Sequence, residues 1–294
     1  TMMKSKLSLR SLARVGLKII PLVLFLSACS SSTSPSFLRE DISPAIKEIC
    51  RKEYKLDIST KLIGSTLWVY IPLEDIISKL PEPEKYIERF LLEDKKNFFE
   101  EKILKVSYLI KPAAEKEKLQ EMTIYKSVNE KIFGKVLPVI RRVLFSIDNS
   151  KKDNPVFFCI VAADIKNGLE LKYIFHLLDL KKISYGYISQ TEYQHRIVQD
   201  SAISAQIIGD KDGTHLDYRD ITLGEFIADQ IQGRIKLKFQ KPEVEKNADI
   251  DKEVLKIITY TLNTYEFKDF SSVEMLNLVT GAKIILNQKA ALAD

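Results

Sequence analysis

The chain has 294 residues, 45% hydrophobic and 29% charged, a composition that supports one large or two ordinary globular domains. Its 45 basic and 40 acidic residues give a formal charge of +5, but Lys4, Lys6, Arg10, Arg14 and Lys18 all precede the first acidic residue, Glu40, and the chain from Cys29 onward carries 40 of each sign. A body of zero net charge lacks the basic stripe that neutralises phosphates, so nucleic acid is excluded as an expected partner.

The five early cations lead into an apolar run, Ile19 to Leu26, interrupted only by Pro21. That run is about half of the roughly 20 residues a spanning helix needs. It closes on Leu26-Ser27-Ala28-Cys29 and leads into the polar stretch Ser30 to Ser36. Basic start, short apolar core, small residues and cysteine together resemble the lipobox of a bacterial lipoprotein signal peptide. The resemblance implies that residues 1–28 are removed and that the Cys29 thiol takes a diacylglycerol. It makes residues 29–37 a Ser-rich tether, and the membrane a partner through lipidated Cys29. Two or three acyl chains hold a protein firmly where one binds marginally. Ser30 directly after the cysteine fits export to an outer membrane, facing the periplasm.

Residues 38–112 read as an N-terminal α+β subdomain. Ser43-Pro44 suits a helix start, and Ile42, Ala45, Ile46, Ile49 and Cys50 make its apolar stripe. Two strands flank the turn Gly64-Ser65: Leu56 to Leu62, then Thr66 to Ile71. Glu74 to Leu80 and the stretch from Tyr86 to Phe98 read as helices, and Ile103 to Ile110 as a strand.

Residues 113–294 begin with the longest apolar period, Glu115 to Ile147, predicted as one long helix kinked or broken at Pro138. Asn167-Gly168 predicts a hairpin between Pro155–Ile165 and Leu169–Phe175. Capping-box patterns at Ser189/Glu192, Thr222/Glu225 and Ser271/Glu274 predict three helix starts. Ala202–Ile208 with Thr214–Tyr218 reads as another hairpin, Ile235–Phe239 as a strand and Glu253–Leu262 as a helix. The expected class is α+β, antiparallel hairpins interleaved with helices in two subdomains.

Chemistry is sparse. Asp210 to Asp217 gathers acids, glycine and His215, but its fifth and twelfth positions are Thr214 and Ile221, so the calcium loop fails and a tight turn is expected. His176, His195 and His215 show no metal-ligand spacing, and no nucleophile elbow or phosphate loop occurs, so neither metal nor cofactor is expected and no catalytic residue is assigned. Cys50 and Cys159 read as buried small hydrophobes rather than a disulfide. Tyr185, Tyr187, Tyr193, His195 and Arg196, with the single tryptophan Trp68, are types enriched in recognition surfaces and form the candidate binding residues. The expected function is that of a non-enzymatic envelope lipoprotein binding another protein or an envelope component. The alternatives are a tethered hydrolase using His195 or His215 as base, and a small-solute-binding lipoprotein.

Overall fold

The computed structural model describes residues 37–74, 76–78, 85–87, 90–93, 96–112, 117–119, 123–124, 126–147, 153–239 and 248–293. The signal and lipobox, the Pro81 and Pro83 punctuation, and Met122 and Tyr125 of the long apolar period lie outside them. The strands in chain order are β1 Ser59–Ile63, β2 Thr66–Leu73, β3 Ile77–Ser78, β4 Lys85–Ile87, β5 Phe90–Glu93, β6 Phe98–Glu100 and β7 Ile103–Pro112. They continue as β8 Glu117–Leu119, β9 Thr123–Ile124, β10 Phe157–Asp164, β11 Leu169–His176, β12 Val198–Ile203, β13 Ser272–Asn277 and β14 Lys283–Asn287. The helices are α1 Ile42–Tyr54, α2 (α-helical Lys126–Asn129, a π stretch Glu130–Val136, then α-helical Leu137–Leu144), α3 Leu177–Ser184, α4 Gln190–His195, α5 Leu223–Phe239, α6 Ile250–Thr264 and α7 Gln288–Ala291.

The first sheet runs β1-β2-β10-β11-β12. Both turns expected from sequence form, at Gly64-Ser65 and Asn167-Gly168, with Gly64 at φ +54 and Gly168 at φ +74. Gly64 is needed twice over, because the Asp220 carboxylate fills the place a Cβ would take. That carboxylate accepts from the Ser65 N–H at 2.9 Å, the Ser65 hydroxyl at 3.0 Å and the Thr66 hydroxyl at 2.9 Å. The two hairpins join through β2 and β10, which are parallel, with Trp68 opposite Cys159. Parallel neighbours need a crossover, and α2 lies on the chain that supplies it. All of β10 and all of β2 except Pro72 are buried, as befits strands covered on both faces.

The second sheet runs β14-β13-β7-β5, with β6 also on β7, and β7 pairs β13 in parallel. Here alternation holds: Leu104, Val106, Tyr108 and Ile110 of β7, and Val273, Met275 and Asn277 of β13, turn inward. The class is α+β with antiparallel hairpins as expected; each five-stranded sheet is made mixed by one parallel pair, while the two-stranded sheets β3–β9 and β4–β8 are antiparallel. Residues 37–294 form one compact unit, and each sheet draws strands from both sides of residue 112.

Several expected elements change type. Glu74–Leu80 and Tyr86–Phe98, expected as helices, contain β3 to β6 in their described parts. The long helix starts at Lys126, and the chain before it pairs as β8 with β4 and β9 with β3. Pro138 does mark a break: the π stretch ends directly before the segment it opens, which absorbs the N–H the proline lacks. The Ser271/Glu274 pattern starts no helix. Its period-2 burial wins, and Ser271 instead ties β13 to β7 by donating N–H and hydroxyl to the Lys102 carbonyl at 2.8 and 3.1 Å. Ile235–Phe239 is the last turn of α5, burying Ile231, Ile235 and Phe239 at i+4 steps. The expected 202–208/214–218 hairpin is the end of β12, a short 3-10 turn Ala205–Ile207 and irregular chain.

Helix α5 lies between the sheets, buried on both faces through its first half (Phe226, Ile227, Ala228, Gln230 and Ile231) and exposed at Gly233, Lys236 and Lys238. Phe226 meets Phe157 of the first sheet at 5.1 Å, while Ile227, Ile231 and Ile235 pack with β7, β13 and α6. Its Thr222/Glu225 capping box forms in both directions, at 2.9 Å from the Thr222 N–H and 3.3 Å back from the Glu225 N–H. The opposite face of the first sheet is covered by α1, α2 and α3.

Candidate functional site

Strand β12 is the outer edge of the first sheet, and every residue after Val198 is exposed. A broad groove of about 1770 Å³ runs along it, lined by Lys172 of β11, Gln199 and Asp200 of β12, His195 of α4, and Asp229 and Lys236 of α5. The Ser204 N–H donates to the Gly168 carbonyl at 2.9 Å, one step past the end of the β11–β12 ladder, and this fixes the antiparallel alternation. Val198, Asp200 and Ala202 therefore bond β11, while Gln199, Ser201 and Ile203 turn their backbone groups outward. Asp200 partly guards this edge. Its carboxylate accepts from the Ser201 N–H at 2.9 Å and pairs with Lys172 across the strands at 3.2 Å. Asp229, half-buried in the groove wall, has its carboxyl pushed up by burial.

Of the residues selected from sequence, three are not surface groups. Trp68, Tyr193 and Arg196 are 6%, 5% and 8% exposed, so they are removed from any exposed recognition face. Trp68 packs edge-on against Tyr218 at 5.6 Å and donates its indole N–H to the Arg219 carbonyl at 2.9 Å. Tyr193 joins the core beneath α3. Arg196 donates to Asp179 at 2.7 Å and Glu192 at 2.8 Å. Tyr265 donates to the same Asp179 at 3.0 Å, and Gln230 to the Arg196 carbonyl at 2.6 Å. This buried network ties α3 and α4 to α5 and the end of α6, so burial raises the cost of each charge and the paired geometry offsets it. Burial works to raise the Asp179 carboxyl, yet the His176 ring 3.6 Å away and the bonded Arg196 guanidinium hold it below the usual range. Tyr185 and Tyr187, at 68% and 79% exposure, do remain at the surface, and His195 sits half-exposed in the groove.

The histidines separate. His176 is enclosed by Phe157, Phe226 and Tyr265, with ring centroids 5.3, 5.9 and 5.7 Å away. His215 is clamped: Nδ1 lies 2.5 Å from Asp210 Oδ2 and Nε2 lies 2.8 Å from Glu170 Oε2. Burial alone would lower its pKa, but the bonds to Glu170 and Asp210 outweigh it and raise it. A ring with both nitrogens held by carboxylates has no lone pair left to act as a base. Asp210 also accepts from the N–H groups of Asp212, Gly213 and His215, so the acidic stretch is the tight turn expected, with Gly213 at φ +73. Glu170 and Asp229 had no signal in sequence beyond being acids inside apolar runs.

Cys50 and Cys159 are both free and buried. Burial pushes the Cys50 thiol up to about 11 and raises that of Cys159 too, which makes both poor nucleophiles. Among the described residues no cluster of three or more His, Cys, Asp or Glu could hold a metal ion, and no helix is long and apolar enough to cross a membrane. No protein-family model, curated protein or solved structure matches the chain.

Proposed function

We propose that the chain is a lipid-tethered envelope protein of bacterial type that binds an extended polypeptide segment by strand addition at β12. The observation that carries this reading is the groove along an exposed sheet edge whose Gln199, Ser201 and Ile203 backbone groups face outward. An added strand would take its affinity from main-chain bonds and its selectivity from the mixed charges of Lys172, Lys236, Asp200 and Asp229. The tether keeps such a receptor at the membrane surface. A hydrolase using His215 as its base is the weaker reading, because that ring is occupied on both nitrogens.

The test uses peptides selected from a random nonamer library on the full chain. Gln199→Pro removes an outward donor without costing a β11–β12 ladder bond, and should abolish binding. Ile285→Pro makes the equivalent change on the edge strand β14, and should leave binding intact. Equal binding by the Gln199→Pro protein and the parent would refute strand addition at β12.

A further inference from the structure

The described chain begins at Phe37, the last residue of the proposed tether. Phe37 donates its N–H to the Ser146 carbonyl at 3.4 Å and bridges Ile147, directly after α2. One residue before Ser146 stands Phe145, whose ring stacks on Tyr185 at 6.3 Å and 17°. Tyr187 lies 6.5 Å from Tyr185. The turn between them is held by Gly186 at φ +76, with open space where a Cβ would point. Tyr185 and Tyr187 are thus a projecting aromatic pair beside the point where the tether enters the fold, and they are among the most exposed large side chains described.

We infer that Phe145, Tyr185 and Tyr187 form a membrane-contact face that rests in the interfacial zone of the bilayer holding Cys29. This rests on the proposed lipid anchor. Length decides the geometry. Cys29 to Phe37 is eight residues, at most about 28 Å fully extended. A compact unit of this length is expected to be roughly 45 Å across. So short a tether cannot pass round the body; it keeps Phe37 within about 28 Å of the anchor and favours the face near Phe37 as the one turned to the lipid. Tyrosine suits that position, its ring favouring the headgroup level and its hydroxyl the water. The cations fit as well: exposed Arg141 and half-exposed Lys182 lie within a turn of Phe145 and Tyr185, where anionic headgroups would meet them. Arg142, beside them, is engaged with Glu53 at 2.7 Å.

The test reconstitutes the full chain, made with its lipid, in phosphatidylethanolamine/phosphatidylglycerol vesicles containing brominated acyl chains. Tyr187→Trp puts an indole in the face; Ile285→Trp, on β14 of the other sheet, is the control. Buried Trp68 gives both the same background. The expected result is a blue-shifted emission and a loss of fluorescence for Tyr187→Trp, with neither for Ile285→Trp. Protein that floats with the vesicles but shows no quenching at position 187, or equal quenching at both positions, overturns this inference alone. An indole untouched by lipid that responds to added peptidoglycan fragments overturns it in favour of a glycan site. Failure to float overturns the anchor reading together with this one.

Discussion

His215 is held between Asp210 and Glu170, and that double clamp sets the pH window in which it stabilises the fold. Its pKa is raised on folding, so its contribution is complete below the ordinary value of about 6.5 and is lost as pH rises through the raised one. Asp210 is shifted the other way. Burial works to raise it, but bonds from the His215 N–H and ring, and from neighbouring amides, depress it. Its share is present above about pH 4 and disappears as pH falls further. The clamp is therefore strongest between roughly pH 4 and 7. His215→Gln should cost about 3 kcal/mol at pH 6, the usual loss on breaking a buried pair, and distinctly less at pH 9. Denaturant melts at the two values check this; an equal loss at both would show that the ring acts by packing alone against Tyr70, 5.8 Å away.

Among the elements, α5 and β12 carry the sharpest expectations. Gly224 opens α5 at a point where a Cβ would run into the Phe99 ring of β6. Gly224→Ala should push β6 away from the helix and destabilise the protein by about 1–3 kcal/mol, although alanine is the better helix former. Thermal unfolding of the variant measures it. On β12, the Asp200 carboxylate uses one oxygen for the Ser201 N–H and the other for Lys172. Asp200→Ala should uncover that donor and make the edge self-associate, raising the dimer fraction in sedimentation at micromolar concentration while the monomer's circular dichroism stays unchanged. The same elements show why local patterns mislead. Ser271-x-x-Glu274 and Ile235-Lys-Leu-Lys-Phe239 are sound signals for a helix start and a strand, and tertiary packing overrides both. Val273 and Met275 have a core on one side of a sheet, and Ile231, Ile235 and Phe239 have one along a helix. The available packing partner chose the period.

For the molecule as a whole, the proposed membrane location rests on Cys29. Cys29→Ala should release the protein from membranes or leave an uncut precursor; fractionation with normal retention and processing would refute the lipobox. The α+β class, the hairpins at Gly64-Ser65 and Asn167-Gly168, the capping of α4 and α5, and the turn at Asp210 were all legible in the residues alone. Those features are local, because a turn residue or a cap acts within three or four positions of itself. The parallel joins β2–β10 and β7–β13 were not, since they bring together strands more than 80 residues apart and arise only on folding. Folding also buried Trp68, Tyr193 and Arg196, left Tyr185 and Tyr187 outside, and brought Glu170 to His215 from 45 residues away. Burial depends on what packs opposite a side chain, and that partner lies elsewhere in the chain.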